Sequence, residues 1–276
     1  MIAEALQLRL VNGLPVEHVP ADDRGLAYGD GLYETFRVSN GRVTLRELHF
    51  ERLWRGAGRL KLELDQRLIE SEVAEIARQM HEGVLKLTVT RGSGPRGYRF
   101  PDPQTPLRII QTAPLPPVGI SAGEAGVRLF CCQTRLAQQP LLAGIKHLNR
   151  LEQVLARSEW QDPAIPEGLM QDTDGNLVEG TMSNLFLRFA DTWVTPDLSL
   201  CGVQGVMRDH LINALRGSGE TVTVRHVRME ELGHSTEVFC CNSVFGVWPV
   251  VGAATCEWPI GAATRQAQAL SMQALE

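Results

Sequence analysis

Apolar and polar positions change rhythm along the chain often enough to divide it into elements. Leu6-Gln7-Leu8-Arg9-Leu10-Val11 alternates, stops at Asn12-Gly13 and resumes, which predicts a strand and a tight hairpin turn. Positions 33–38 alternate into Asn40-Gly41 and return, a second hairpin. Positions 84–90 alternate as Leu85, Leu87 and Val89 against Lys86, Thr88 and Thr90, and 107–112 and 127–132 are further strands. Asp174-Gly175 marks a hairpin between apolar runs, 221–224 is a strand, and 237–244 reads as a buried strand ending in Asn242-Ser243.

A helical period appears between these strands. Thr44-Leu45-Arg46-Glu47 has the form of a capping box, so a helix is predicted from there to about residue 60, with Leu45, Leu48, His49, Leu53, Gly56 and Leu60 on one stripe and Arg52 in its middle. Helices are also predicted over 66–80, over 148–160 (Leu148, Leu151, Val154 and Leu155 on one face), from the Gly202–Gly205 stretch to about 215, and from 262 onward. Pro114-Leu115-Pro116-Pro117 reads as a stiff linker. The expected organisation is an α/β (α+β) chain with a smaller N-terminal domain over 1–114 and a larger one over 118–276.

Composition narrows the class. With 276 residues, 43% hydrophobic and 21% charged, the chain can bury a core of two domains. A net charge of -5 without long like-charge runs argues against nucleic acid or an anionic membrane as partner. No apolar run reaches ~18 residues, and the N-terminal stretch lacks a basic and apolar leader pattern, so a cytoplasmic protein is expected. The six cysteines include two adjacent pairs, Cys131-Cys132 and Cys240-Cys241, and no spacing that suggests a metal site; buried thiols in a reducing compartment are expected.

Candidate chemistry begins with lysine, of which the chain has three: Lys61, Lys86 and Lys146. The first closes a charged segment and the second lies on the polar side of its strand, so both read as solvated. Lys146 follows Leu141-Leu142-Ala143-Gly144-Ile145 at the entry to a helical segment. There it either snorkels to water or, desolvated, serves as a nucleophile or Schiff-base former. Arg52 on an inward stripe needs an anion, either an internal carboxylate or a ligand phosphate. Glu179, between apolar strand residues and a small-residue turn, needs a proton or a cation. Gly202-Val203-Gln204-Gly205 before a helix offers an anion site. Arg91-Gly92-Ser93-Gly94-Pro95-Arg96-Gly97-Tyr98-Arg99 contains G-x-G-x-x-G, but no helix follows, so it does not read as a dinucleotide fingerprint. Its three arginines suit either a carboxylate clamp or a solvated basic loop.

The order Gly29-Asp30-Gly31, Arg52, Lys146, Glu179-Gly180-Thr181-Met182-Ser183-Asn184-Leu185-Phe186 and Gly205-Val206-Met207-Arg208 resembles the fold-type IV pyridoxal phosphate family, which includes branched-chain and D-amino acid aminotransferases. The stretches 91–98 and Gly144-Ile145-Lys146-His147-Leu148-Asn149-Arg150-Leu151-Glu152 are similar to the aminodeoxychorismate lyase branch of that family. The resemblance implies a barrel-like C-terminal domain, pyridoxal 5'-phosphate as cofactor, a homodimer, and conversion of 4-amino-4-deoxychorismate to 4-aminobenzoate and pyruvate in folate synthesis. An aminotransferase on the same scaffold and a non-catalytic pyridoxal phosphate-binding protein are the alternatives. Carried over by position, Lys146 bonds the cofactor's aldehyde and Glu179 meets its pyridine nitrogen. Arg52, the backbone of Val206 and Met207, and Asn242 with Ser243 hold its phosphate; Tyr33, Arg91, Arg96, His147 and Asn149 are the expected substrate contacts. Many relatives have Thr where Met207 stands, so this position can donate only its backbone N–H.

Overall fold

The computed structural model describes residues 7–16, 18–117 and 119–276, and the chain separates into two units. The first comprises residues up to Leu115 together with Ile145–Asn149 and Leu275–Glu276; the second comprises Pro116–Gly144 and Arg150–Ala274.

In the first unit, in chain order, β1 (Arg9–Val11), α1 (Arg24–Tyr28), β2 (Gly31–Ser39), β3 (Arg42–Val43), α2 (Arg46–Leu60), α3 (Gln66–Arg78), β4 (Glu82–Thr90) and β5 (Leu107–Ala113) form one sheet and its helices. The sheet order is β1-β5-β4-β2-β3 and every pair is antiparallel. One face is apolar: Leu32, Phe36 and Val38 of β2 and Leu85, Leu87 and Val89 of β4 are buried against Phe50, Leu53, Ile69, Val73 and Ile76 of α2 and α3. This alternation, polar on one side only, is why the strands pair as a half-covered antiparallel sheet. The hairpin from β2 to β3 turns on Asn40 (φ 49°) and Gly41 (φ 74°), the left-handed pair that matches strand twist. The expected first strand begins at Leu6, outside the described residues; within them it spans Arg9–Val11.

Two helix expectations need correction. The capping box at Thr44 does not form: the Thr44 hydroxyl donates to the Arg37 carbonyl at 3.3 Å, and α2 starts one residue later behind Leu45 (φ 51°), with no side-chain cap. The helix expected over 148–160 is only α5 (Leu151–Arg157). Its first residues are consumed by strand-like pairing, because Leu148 N–H donates to the Gly31 carbonyl and Tyr33 N–H donates to the Lys146 carbonyl. The apolar stripe faces outward, with Leu151, Val154 and Leu155 at 75%, 60% and 58% exposure.

The second unit holds α4 (Gly119–Ala125), a helix the sequence pattern did not reveal, then β6 (Val127–Leu136), α5, β7 (Glu167–Asp172), β8 (Asn176–Gly180), β9 (Asn184–Phe189), β10 (Thr192–Pro196), α6 (Val206–Gly217), β11 (Thr221–Arg225), β12 (Val227–Arg228), β13 (Glu237–Asn242), β14 (Gly246–Ala253), β15 (Cys256–Glu257) and α7 (Ala262–Gln273). The sheet path runs β11-β10-β9-β13-β14-β6-β7-β8-β12, with β15 beside β14. Its two terminal strands are separated in sequence by His226 alone, so the sheet curls until its ends meet at one residue, a barrel-like closure. Leu129, Leu169, Leu177, Leu185, Leu187, Trp248 and Val250 are among the residues of its core. All six cysteines are unpaired; burial pushes the Cys132 and Cys201 thiols up to about 12.

The first unit rests on an ionic knot at Asp30. Its carboxylate accepts from Arg91 Nε and Nη2, each at 2.8 Å, and from Arg24 Nε at 2.9 Å. Burial alone would raise this carboxyl, but the hydrogen bonds and charges of the two arginines hold it below the usual aspartate range. Asp30→Asn should destabilise the protein by about 3 kcal/mol at pH 7, because two buried guanidinium groups lose their counterion. A depressed folded value means the carboxylate's contribution is complete above the unfolded value of about 3.9 and is lost as pH falls through the folded one. Urea unfolding of both proteins should therefore show a difference that is constant above about pH 5 and shrinks below about pH 4. A difference independent of pH would overturn the assignment.

Candidate active site

The Lys146 segment is extended rather than helical. Leu32 and His147 form an isolated antiparallel bridge, and the backbone bonds from Tyr33 to Lys146 (3.0 Å) and from Leu148 to Gly31 (3.1 Å) fix the register against β2. Ile145 is fully buried and Lys146 half-buried, so the amine is presented from an immobilised backbone. Its Nζ lies 4.5 Å from the Tyr33 ring centroid, a cation–π contact. Lys86 Nζ lies 5.4 Å from the same ring, from the exposed side of β4. Asn149 Nδ2 donates to the Gly29 carbonyl and its backbone N–H to His147 Nδ1, so both side chains help hold the turn beyond the lysine.

Arg52 meets an internal carboxylate. Glu34 takes Arg52 Nε at 2.8 Å on one oxygen and Nη2 at 2.5 Å on the other, and the second oxygen also bonds His49 Nδ1 at 2.6 Å. Glu34 stands in the apolar phase of β2, between Leu32 and Phe36, and its buried place was legible as a break in that alternation.

Arg91 requires a correction. It is 1% exposed, and besides Asp30 its guanidinium donates to the carbonyls of Leu60 and Lys61 and to Gln104 Oε1. All five N–H groups have protein partners, so it is a structural arginine and no part of a substrate clamp. Arg96 and Arg99 are exposed on the following loop, which Arg24 anchors by donating to the Gly97 and Tyr98 carbonyls.

In the second unit, Glu179 is buried on β8; its Oε2 accepts from Val203 N–H at 2.8 Å and from Asn184 Nδ2 at 3.5 Å. Asn184 Nδ2 also donates to the Val203 carbonyl, and Gly144, two residues before Lys146 in the chain, forms a parallel bridge with Val203. Gly205 precedes α6 because a Cβ there would lie 1.9 Å from Asn184 Oδ1. The helix therefore starts hard against the Glu179 partner, without a side-chain cap, at the buried residues Val206 and Met207. A buried, uncapped helix N-terminus presents backbone N–H groups suited to an anion. Asn242 Oδ1 accepts from Val244 and Phe245 N–H and its Nδ2 donates to the Met182 carbonyl, so this side chain shapes the turn that carries Ser243.

Sequence reasoning missed the residue that sets the turn after Glu179. Glu167, fully buried, accepts from the N–H groups of Gly168, Thr181 and Met182 and from the hydroxyls of Thr181 and Ser183. Burial outweighs these bonds and pushes its carboxyl up. Nothing in the local pattern separates it from an ordinary strand-edge glutamate. Among the described residues no cluster of His, Cys, Asp or Glu could hold a metal ion.

The fold and these residues can be set beside known proteins. The chain is 36% identical over 263 residues, 94% of its length and 97% of the relative's, to an aminodeoxychorismate lyase of Vibrio harveyi. Its structure is similar to the crystal structure of 4-amino-4-deoxychorismate lyase from Pseudomonas aeruginosa, with a TM-score of 0.93 and 48% identity, covering 95% of this chain and 97% of that one. The branched-chain amino acid aminotransferase of Escherichia coli shares the fold at a TM-score of 0.84 and 22% identity, over 96% of this chain and 93% of that one. The class IV aminotransferase signature matches residues 31–253, and with the fold-type IV architecture around Lys146 it establishes that the chain belongs to the class IV aminotransferase family.

Proposed function

We propose that the protein is a pyridoxal phosphate-dependent lyase that converts 4-amino-4-deoxychorismate to 4-aminobenzoate and pyruvate. The observation that carries the reading is the register-locked Lys146 with its amine against Tyr33, in a chain that matches two lyases over almost its whole length. The residues fit the cofactor. A half-buried lysine suits its aldehyde, an uncapped buried helix start at Val206 and Met207 suits its phosphate, and Glu179, already anchored by Val203 and Asn184, suits its ring nitrogen.

When bound, pyridoxal phosphate supplies an aldehyde for amine exchange and a ring that withdraws electrons from the carbon bearing the substrate's amine. Lys146 Nζ would hold that aldehyde and, once displaced by the substrate's amine, would be placed to take the proton from that carbon. Loss of that proton and of the neighbouring ether oxygen would leave an aromatic ring, which drives the step; the side chain would depart as enolpyruvate and take up a proton at its methylene carbon to become pyruvate. Glu179 would face the ring nitrogen and favour its protonated form. Arg52 and the Ser243 turn assist the phosphate contact. His147 and Asn149, which hold the turn after Lys146, and Tyr33 shape the substrate side. With Arg91 committed to Asp30, the substrate's two carboxylates fall to exposed cations: Arg96 and Arg99 on their loop, and Lys86, which lies over the Tyr33 ring. An aminotransferase would share Lys146 and Glu179, but this supply of cations fits a dicarboxylate better than an aliphatic side chain. A non-catalytic carrier would have no use for them.

The protein acts as a homodimer in the cytoplasm on this reading. Leu141, Leu151, Val154 and Leu155 are large, exposed and within one unit, as a subunit interface requires. Six unpaired cysteines suit a reducing compartment, and no described helix is long and apolar enough to cross a membrane.

Three outcomes are expected. Lys146→Ala should keep the wild-type circular dichroism and lose turnover, and borohydride reduction of the holoprotein followed by peptide mapping should place the cofactor on Lys146; label on Lys61 or Lys86 would refute the assignment. Incubation with 4-amino-4-deoxychorismate should yield 4-aminobenzoate and pyruvate in equal amounts without any added keto acid. If instead turnover stops after one equivalent and resumes on adding a keto acid, the reaction is transamination. Sedimentation should give about twice the 30.5 kDa chain mass, and the pair Leu151→Asp and Leu155→Asp should shift it to the monomer.

A further inference from the structure

Glu34 and His49 lie outside every role assigned above, yet they surround the arginine proposed to meet the cofactor's phosphate. Glu34 is 1% exposed and His49 fully buried, and both contact Arg52 or its partner from opposite elements, β2 and α2. The side-on pairing uses Arg52 Nε and Nη2, which fixes the guanidinium plane as well as its position. Burial by itself would raise the Glu34 carboxyl, but the Arg52 charge and the His49 hydrogen bond bring it to about 2, so it is an anion at any working pH. His49 is pushed the other way: burial, and the positive charges of Arg52 and Lys146, outweigh the Glu34 bond and lower its value. It is therefore neutral and donates from Nδ1, while its Nε2 is buried without a hydrogen-bond partner among the described residues. A histidine with one face satisfied and the other orphaned is placed for the bond it makes to Glu34. Phe36, 4.6 Å away ring to ring, holds it there.

We propose that Glu34, steadied by His49, is the positioning residue that fixes the Arg52 fork for the cofactor's phosphate. The inference rests on the pyridoxal phosphate reading and gives Arg52 a second role beyond charge. A neutralised, preoriented arginine selects the phosphate by hydrogen-bond geometry and loses little side-chain freedom when it binds. Without Glu34 the guanidinium would lose the carboxylate that sets its plane and most of the negative charge it faces.

The test compares apoprotein affinity for pyridoxal phosphate with that for pyridoxal, which lacks the phosphate, by fluorescence titration. In Glu34→Gln the ratio of the two affinities should fall by about tenfold, the scale of one charge-assisted hydrogen bond, while pyridoxal binding stays within about twofold. Glu34→Asp, which keeps the charge but withdraws it by one methylene, should lower the ratio by about threefold and serves if the glutamine variant does not fold. In an Arg52→Ala background, adding Glu34→Gln should leave the ratio unchanged, because Glu34 acts only through the arginine. An unchanged or higher ratio in either single variant would overturn the proposal, the second because Glu34 would then be competing with the phosphate. Equal loss of both ligands would also overturn it, since that marks a purely structural residue. If wild type binds neither ligand, the cofactor reading itself fails.

Discussion

The backbone pairing between residues 146–148 and the start of β2 is the constraint on which the rest depends. Two hydrogen bonds and one bridge turn what would be a helix entry into an extended strip, and they fix which side chains lie beside the reactive amine. Tyr33 is next to Lys146 because its own N–H makes one of those bonds. The same pairing uses the residues expected to open the helix, so α5 begins only at Leu151; its Leu151, Val154 and Leu155 are exposed.

Much of this was legible in the sequence. Period-two runs and Asn-Gly turns located the first-unit sheet, since alternation and left-handed turns are local properties. Lys146 could be singled out because only three lysines occur and only one follows an apolar run. What stayed hidden depends on distant partners. Arg91 looks like a clamp in a glycine-rich loop, and only the fold shows Leu60, Lys61, Gln104 and Asp30 closing on it. The capping box at Thr44 was overridden because the Arg37 carbonyl, across the hairpin, took the hydroxyl. Glu167 gathers donors from a turn fourteen to sixteen residues away.

Two fully buried glutamates, one in each unit, illustrate how the chain manages charge without water. Glu34 has a guanidinium and an imidazole N–H, and its carboxyl is held at about 2. Glu167 has five dipolar donors and, among the described residues, no ion pair, and its carboxyl is pushed up. In this pair the carboxylate with a cation beside it is lowered, whereas the one that has dipolar donors is raised by its burial. The first solution sits beside the residue proposed for a phosphate, where a permanent, oriented cation is useful. The second shapes the loop after Glu179, where geometry matters more than charge.

The fold does not by itself select the reaction. A branched-chain aminotransferase shares the fold at a TM-score of 0.84 and only 22% identity, so the frame carries no information about whether a proton returns to the cofactor or a leaving group departs. That choice belongs to groups that contact the substrate's far end. In the first unit, Arg24, itself held by Asp30, ties the 97–98 loop to the ends of β2 and β4, so Arg96 and Arg99 are exposed charges on an anchored base. Lys86 is fixed as well, by the strand that carries it and by the ring it touches. A substrate with two carboxylates can exploit cations whose roots are rigid, since little ordering entropy is lost on binding. An aliphatic side chain gains nothing from them and would strip water from charges left unpaired. On the proposed reading, the discrimination between lyase and aminotransferase substrates would follow from where the buried arginines are spent, since Asp30 takes Arg91 and Arg24 and leaves Arg96 and Arg99 exposed.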